Sequence, residues 1–223
     1  MGETLCAGGA RLTLRPECGG TVDALLLEPP FGDKAVALLA PQGSAEGAGG
    51  ACDPGLFRGR LLAPFSDRIP AGRYRFGGES FELPINDQET GDAIHGFLYS
   101  RAMQVRSISD NELLLGYRTH GDCSGYPFEL DITARYELTP GSFRLTLTAT
   151  NGGSRGLPVT LGWHPYFTLP GVERVDELLL QLPAKRYVAV DRRLIPTGEL
   201  PEVEGTPWDF SSSRRSPASG GGA

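Results

Sequence analysis

With three histidines and four cysteines in 223 residues, the chain is poor in the side chains that carry metal and redox chemistry. Cys6, Cys18, Cys52 and Cys123 form no C-x-x-C pair, which excludes a zinc ribbon and a dithiol redox motif. A chain of this length folds without staples, so all four are expected as free thiols in a reducing compartment. His95, His120 and His164 show neither i, i+4 spacing nor a Cys/His cluster, so no zinc signature is present and no metal is expected. G-x-S-x-G and a phosphate-cradling glycine loop are also missing, which removes the nucleophilic-serine and nucleotide readings and leaves no cofactor expected. No apolar run approaches the roughly 20 residues of a bilayer span. A basic excess is lacking too: Lys+Arg 21 stand against Asp+Glu 27, for a net charge of -6, which argues against a nucleic-acid partner. The first ten residues have no basic stretch followed by an apolar core, and no Asn-x-Ser/Thr sequon occurs, so a cytoplasmic protein without a membrane partner is expected.

A long 3.6-residue period is the last absence, and it turns the reading toward strands. Gly 31 and Pro 18 punctuate the chain heavily, and the segments between them alternate. Phe128, Leu130, Ile132, Ala134, Tyr136 and Leu138 alternate with mostly polar residues; after a turn at Thr139-Pro140-Gly141, Phe143, Leu145, Leu147 and Ala149 do the same. The two runs predict an antiparallel hairpin with one buried face. Further hairpins are predicted for Arg73–Phe76 with Ser80–Leu83 around Gly77-Gly78, and for Met103–Ile108 with Leu113–Thr119 around Asp110-Asn111, dipeptides that tolerate the positive φ of tight turns. Short strands are expected at Leu12–Leu14, Val22–Leu27, Ala35–Leu39, Val159–Trp163, Leu178–Leu182 and Tyr187–Val190. The fold class is therefore all-β, an antiparallel sandwich or barrel. Gln42–Cys52 reads as a small-residue loop and Ser211–Ala223 as a disordered Ser/Gly-rich tail, so one domain is expected over residues 1–210.

The near-neutral proton carriers are the three histidines. His95, in DAIHGF, precedes Gly96, where the missing side chain permits close approach of a ligand or of another backbone stretch. His164, in LGWHPYFTLPG, stands where Pro165 interrupts a strand among aromatic neighbours, either as a packed core residue or as a pocket wall. His120, in RTHGDCSGYP, reads as a turn residue.

Four segments in order, APFSDRIPAGRYRFGGESFELPIND, AIHGF, LGWHPYFTLPG and PTGELPEVEGTPWDF, resemble the aldose 1-epimerase (galactose mutarotase) family over most of residues 10–210. The resemblance implies a large antiparallel β-sandwich and the interconversion of the α and β anomers of an aldose, a hexose or hexose phosphate. It implies that His164 is the general acid that protonates the sugar ring oxygen and that His95 hydrogen-bonds the sugar nearby. It also implies that Arg68 binds substrate and that Asp209 accepts a hydrogen bond from a sugar hydroxyl. Trp163, Tyr166, Phe167 or Trp208 would cover an apolar sugar face. The arginines at 58, 60, 68, 73 and 75 suit a phosphorylated sugar or a solvated strand face.

One departure is marked. Family members carry a glutamate general base beyond the TPWDF segment, and here Phe210 is followed by SSSRRSPASGGGA. An incomplete sandwich and self-association through unpaired strands are expected on that count. Three readings stay open: a mutarotase impaired in its base, a sugar-binding protein without turnover, and an inactive fragment.

Overall fold

The computed structural model describes residues 2–30, 34–39 and 57–215. The loop expected at Gln42–Cys52 lies outside them. The regular structure among the described residues is strands and four single-turn 3-10 segments, with no α-helix. Accordingly, no helix among the described residues is long and apolar enough to cross a membrane. The chain divides into two compact units, Met1–Thr168 and Leu169–Ala223.

In the first unit, β1 (Glu3–Ala7), β2 (Ala10–Arg15), β3 (Thr21–Leu27) and β4 (Val36–Ala37) form one antiparallel sheet in that order. Then come β5 (Leu61–Leu62), β6 (Arg68–Ile69), β7 (Arg73–Phe76), β8 (Glu79–Glu82) and β9 (Ala93–Ile94). A second antiparallel sheet, again in chain order, holds β10 (Gln104–Ile108), β11 (Glu112–His120), β12 (Glu129–Thr139) and β13 (Ser142–Asn151). After it comes β14 (Gly162–Trp163), which pairs with β5, while β6 pairs with β9 and β7 with β8.

Side chains on a strand alternate between faces, so the apolar set of each sheet lies on one side. Leu5, Leu12, Leu14, Val22 and Leu25 of the first sheet share a core with Leu113, Leu115, Leu130, Ile132, Tyr136 and Leu138 of the second. The result is an antiparallel β-sandwich. Each fully buried Leu or Ile in it contributes about 1.5–3 kcal/mol by transfer out of water. Tyr136 is buried throughout, and its hydroxyl donates across the sandwich to the Gly20 carbonyl at 2.5 Å. An added side chain at Gly20 would meet that hydroxyl at 2.4 Å, which accounts for the glycine.

The predicted hairpin is present as β12 and β13, in register from Leu130 opposite Asn151 to Thr139 opposite Ser142. On β12 the apolar face is fully buried, whereas on β13, at the sheet's edge, Phe143, Leu145, Leu147 and Ala149 are half-buried. The β7–β8 hairpin turns on Gly77 and Gly78 at φ 59° and 85°. The β10–β11 turn is different: neither Asp110 nor Asn111 has positive φ, and the turn closes instead through Ser109 N to the Glu112 carbonyl (2.8 Å) and Glu112 N to Ser109 Oγ (3.1 Å).

Three expectations are corrected. Val159–Trp163 yields strand only at Gly162–Trp163, because Thr160 lies against Pro64, whose nitrogen has no proton for a ladder. Tyr187–Val190 is not a strand: it makes isolated backbone bonds to Pro201, Glu199 and Thr197, in a stretch where Pro196 and Pro201 cannot donate. Cys18 is disulfide-bonded rather than free, while Cys6 and Cys123 are free thiols; Cys52 lies outside the described residues. β1 was not expected, since the segment ETLCA alternates too weakly to announce a strand.

In the second unit, β15 (Leu179–Leu180) pairs with β16 (Arg214–Arg215), so ordered pairing extends past Phe210. Residues 216–223 lie outside the described set.

Candidate functional site

Two short ribbons of the first unit build the site. In the first, β14 pairs with β5, Trp163 opposite Leu61. His164 follows at the ribbon's end, its N–H donating to the Arg60 carbonyl (3.0 Å) and its own carbonyl accepting from Gly59 N (2.8 Å). Pro165 then ends the ladder, which leaves the imidazole at an open edge. In the second ribbon, Arg68 stands opposite Ile94, so the guanidinium is brought beside the residue after the strand, His95. Asn86 holds that strand in place: its Oδ1 accepts from Ile94 N (2.7 Å) and its Nδ2 donates to the Ile94 carbonyl (2.9 Å).

His95 sits at φ 62°, a conformation uncommon for a residue with a side chain. Gly96 follows at φ 67°, and a Cβ there would lie 2.3 Å from the Ala63 carbonyl oxygen. Phe97 N and Leu98 N donate to that same carbonyl, so the chain turns directly over Ala63. Close backbone approach is thus the reason for the glycine, one of the two readings its position allowed.

His95, His164 and Arg68 line one cleft of roughly 1050 Å³, together with Phe57, Ser66, Asp67, Asp87, Trp163 and Tyr166 among others. The two imidazole centroids are 5.3 Å apart at 76°. His164 stacks on Tyr166, at 5.4 Å and 16°. No hydrogen bond to either of its ring nitrogens is made by the described residues. His95 is 7% exposed, and its Nδ1 lies 3.0 Å from the Ser66 carbonyl. A carbonyl only accepts, so Nδ1 carries the proton and Nε2 is the acceptor of the neutral ring. Burial pushes His95 below the ordinary histidine range; the charges of His164 and Arg68 act the same way, against the Ser66 bond and Asp67. The ring is therefore neutral at pH 7.

Arg68 Nε is buried with no hydrogen-bond partner, and Asp87 Oδ2 stands 3.6 Å from it, Asp67 Oδ1 4.0 Å from Nη1. Hydrogen bonds from Thr90 hold the Asp87 carboxyl below its usual range, so it stays anionic. Among the five arginines noted in the sequence, Arg68 alone lines the cleft. Arg60 is buried, donating to Cys18 O, Thr21 Oγ1 and Tyr99 O; Arg73 pairs with Glu82 on the β7–β8 hairpin; Arg58 lies over the Tyr166 ring at 5.3 Å.

Asp209 belongs to the second unit, where its Oδ1 accepts from Ser211 N (3.0 Å) and Ser211 Oγ (2.6 Å), which lowers its carboxyl below the usual range. Trp208, in the same unit, packs near Tyr187 and is half-exposed; Phe167 is exposed and meets Trp163 edge-on. His120 is the last residue of β11, opposite Glu129, rather than the turn residue expected; it is exposed, and its N–H donates to Asp122 Oδ1. Among the described residues no three His, Cys, Asp or Glu side chains gather to hold a metal ion. Sequence reasoning missed Phe57, Asn86 and Asp87. The last two fall inside a segment that carried the family resemblance, whereas nothing in the sequence around Phe57 marks it.

The depressed His95 value has a consequence for stability. Below about pH 6.5 the unfolded chain binds a proton at this position that the folded chain resists, so stability falls with decreasing pH and levels off below the folded-state value. In His95→Gln this part of the pH dependence is expected to vanish. Urea unfolding of both proteins between pH 8 and pH 5 checks it, and parallel profiles would refute it.

The family model of aldose 1-epimerase matches residues 41–220, a span that holds Arg68, His95, His164 and Asp209. The chain is 33% identical over 158 residues to the uncharacterized protein YihR of Escherichia coli K12, covering 70% of this chain and 50% of that protein. It is 30% identical to the aldose 1-epimerase of Escherichia coli K12 (73% and 47% covered) and 29% to the galactose mutarotase of Mus musculus (68% and 44%). The chain thus spans about half the length of the curated relatives it matches. Among solved structures, an aldose epimerase homologue from C. elegans superposes with a TM-score of 0.80 at 22% identity, covering 96% of this chain and 66% of that one. Galactose 1-epimerase from Lactobacillus acidophilus gives 0.74 at 26%, covering 95% and 61%. A sandwich of this topology, with a family match that runs through most of the chain including the paired histidines, makes this protein a member of the aldose 1-epimerase family.

Proposed function

We propose that the chain binds an aldose, a hexose or hexose phosphate, in the His95–His164 cleft and carries the proton-donating half of anomer interconversion. Ring opening needs a proton delivered to the ring oxygen and another removed from the anomeric hydroxyl. The observation that carries the reading is the pair of imidazoles 5.3 Å apart in unlike surroundings. His164, with no ring hydrogen bond to the described residues, is assigned as the general acid, since an imidazole holds and releases a proton near neutral pH. His95, neutral with Nδ1 committed to Ser66, is assigned as an acceptor for a sugar hydroxyl. Arg68, whose Nε has no hydrogen bond, is assigned as a donor to a sugar oxygen, and Trp163 and Tyr166 as apolar cover for a C–H face. Asp209 is assigned on the family resemblance as a further hydroxyl acceptor.

No described residue is assigned to the second proton transfer. Sugar binding without turnover is the second reading for that reason. NMR titration with galactose, glucose and glucose 6-phosphate, combined with saturation transfer between anomers, separates the two. Binding that perturbs the His95 and His164 ring signals is expected, with anomer exchange that falls about 100-fold to 10,000-fold in His164→Asn. Binding with no exchange in any form favours the second reading, and failure to bind any aldose would overturn both.

A further inference from the structure

Phe57 occupies a position that the proposed acid-base roles do not explain. It adopts φ 59° although it carries a bulky ring, and it does so within contact of His95, the other cleft residue held at positive φ. Its carbonyl accepts from Arg60 N (3.1 Å), and the turn it opens is fastened on both sides: Gly59 N donates to the His164 carbonyl, and Val22 N and Trp163 Nε1 donate to the Gly59 carbonyl. The backbone is thereby tied to the strand that bears His164. The ring reaches the other way. Its centroid lies 4.6 Å from that of His95 at 79°, 6.3 Å from that of His164 at 34°, and 5.1 Å from Tyr99 at 87°. Edge-on contact of this kind is the favoured geometry for aromatic pairs. Here it sets an apolar ring edge-on against His95 and within reach of His164.

We propose that Phe57 is a positioning residue of this site, an apolar wall packed edge-on against His95 beside the His164 ring, that holds His95 as a neutral hydrogen-bond acceptor and so reserves proton donation for His164. This inference rests on the aldose-site reading given above. Two imidazoles 5.3 Å apart do not readily carry charge together, so whichever is better hydrated takes the proton first. The groups facing His95 are the Ser66 carbonyl, Asp67, Arg68 and His164, and burial outweighs the carbonyl and Asp67 in keeping it neutral. Removing the Phe57 ring would admit water to the His95 side. His95 would then take up a proton more readily, and the division of roles between the two rings would be lost.

The test is an NMR titration of imidazole ring signals in the full chain, for the unsubstituted protein, Phe57→Ala and Phe57→Leu, with and without glucose. In the unsubstituted protein at pH 7, the nitrogen shifts of His95 should report the Nδ1–H tautomer with Nε2 unprotonated. In Phe57→Ala the His95 midpoint should move up toward about 6.5. In Phe57→Leu, which keeps apolar bulk, the His95 midpoint should stay near its original position. A His95 that is protonated or carries its proton on Nε2 at pH 7 in the unsubstituted protein would overturn the proposal, whether or not either variant folds. So would a folded Phe57→Ala in which the His95 midpoint does not move. Failure of the unsubstituted chain to bind glucose or any other aldose would strike the functional reading instead, while the ring titrations would still decide the role of Phe57.

Discussion

Replacing His164 by asparagine is expected to lower anomer exchange by about 100-fold to 10,000-fold, the range for loss of a general acid, and to leave aldose affinity within a few-fold of its starting value. At 1.36 kcal/mol per tenfold, that corresponds to about 3–5 kcal/mol on the barrier. Between the two described imidazoles of the cleft, that of His164 is proposed as the proton donor, since His95 has its Nδ1–H committed to Ser66 and burial disfavours its protonation. The fold should survive, because His164 is held by its backbone bonds to Gly59 and Arg60, and asparagine keeps both. Saturation transfer between sugar anomers measures the rate; chemical-shift titration measures binding. Equal rates at equal affinity would remove His164 from the acid role.

Gly96→Ala is expected to destabilise the protein by about 2–5 kcal/mol and to abolish aldose binding. Two effects combine at this position. The residue sits at φ 67°, where a Cβ costs about 1–2 kcal/mol, and the added methyl would lie 2.3 Å from the Ala63 oxygen and 2.8 Å from Pro64 N, an overpacking typically worth about 1–3 kcal/mol. The neighbouring atoms are backbone, which cannot rotate away. They are also the anchor of the turn that carries His95, because Phe97 N and Leu98 N bond to the Ala63 carbonyl. Any shift that relieves the clash therefore displaces the imidazole from Ser66. Denaturant unfolding together with the His95 ring signals checks this. A variant of unaltered stability with His95 still bonded to Ser66 would show that the turn has more room than its geometry implies.

Period-two alternation was enough to read an all-β antiparallel fold, and the family resemblance chose the sandwich over the barrel. The β12–β13 hairpin follows from residues 128–149, because a strand repeats every two residues and a one-residue slip would expose Leu130, Ile132 and Tyr136 together. The β7–β8 turn follows from Gly77-Gly78, since only glycine adopts positive φ freely at two successive positions. Where the alternation weakens, so does legibility: β1 escaped, and Tyr187–Val190 promised a strand that its partner segment, with Pro196 and Pro201, cannot complete. The β10–β11 turn was placed correctly but for the wrong reason, because a serine hydroxyl closes it without positive φ.

The histidines could be singled out from the sequence as the groups able to move a proton near neutral pH, since that property belongs to the imidazole itself and needs no fold. What each could do was decided only by tertiary contact. His95 and His164 are 69 positions apart (164 minus 95), and only the pairing of β5 with β14 and of β6 with β9 puts their rings 5.3 Å from each other. The unlike surroundings of the two, one buried on the Ser66 carbonyl and the other stacked on Tyr166, come from loops that the period-two pattern does not reach. Phe57 is the plainest case. In sequence it is one apolar residue after a glycine-rich stretch, and its contact with both imidazoles exists only because burial in a shared core and a chain of backbone bonds hold distant loops at fixed distances.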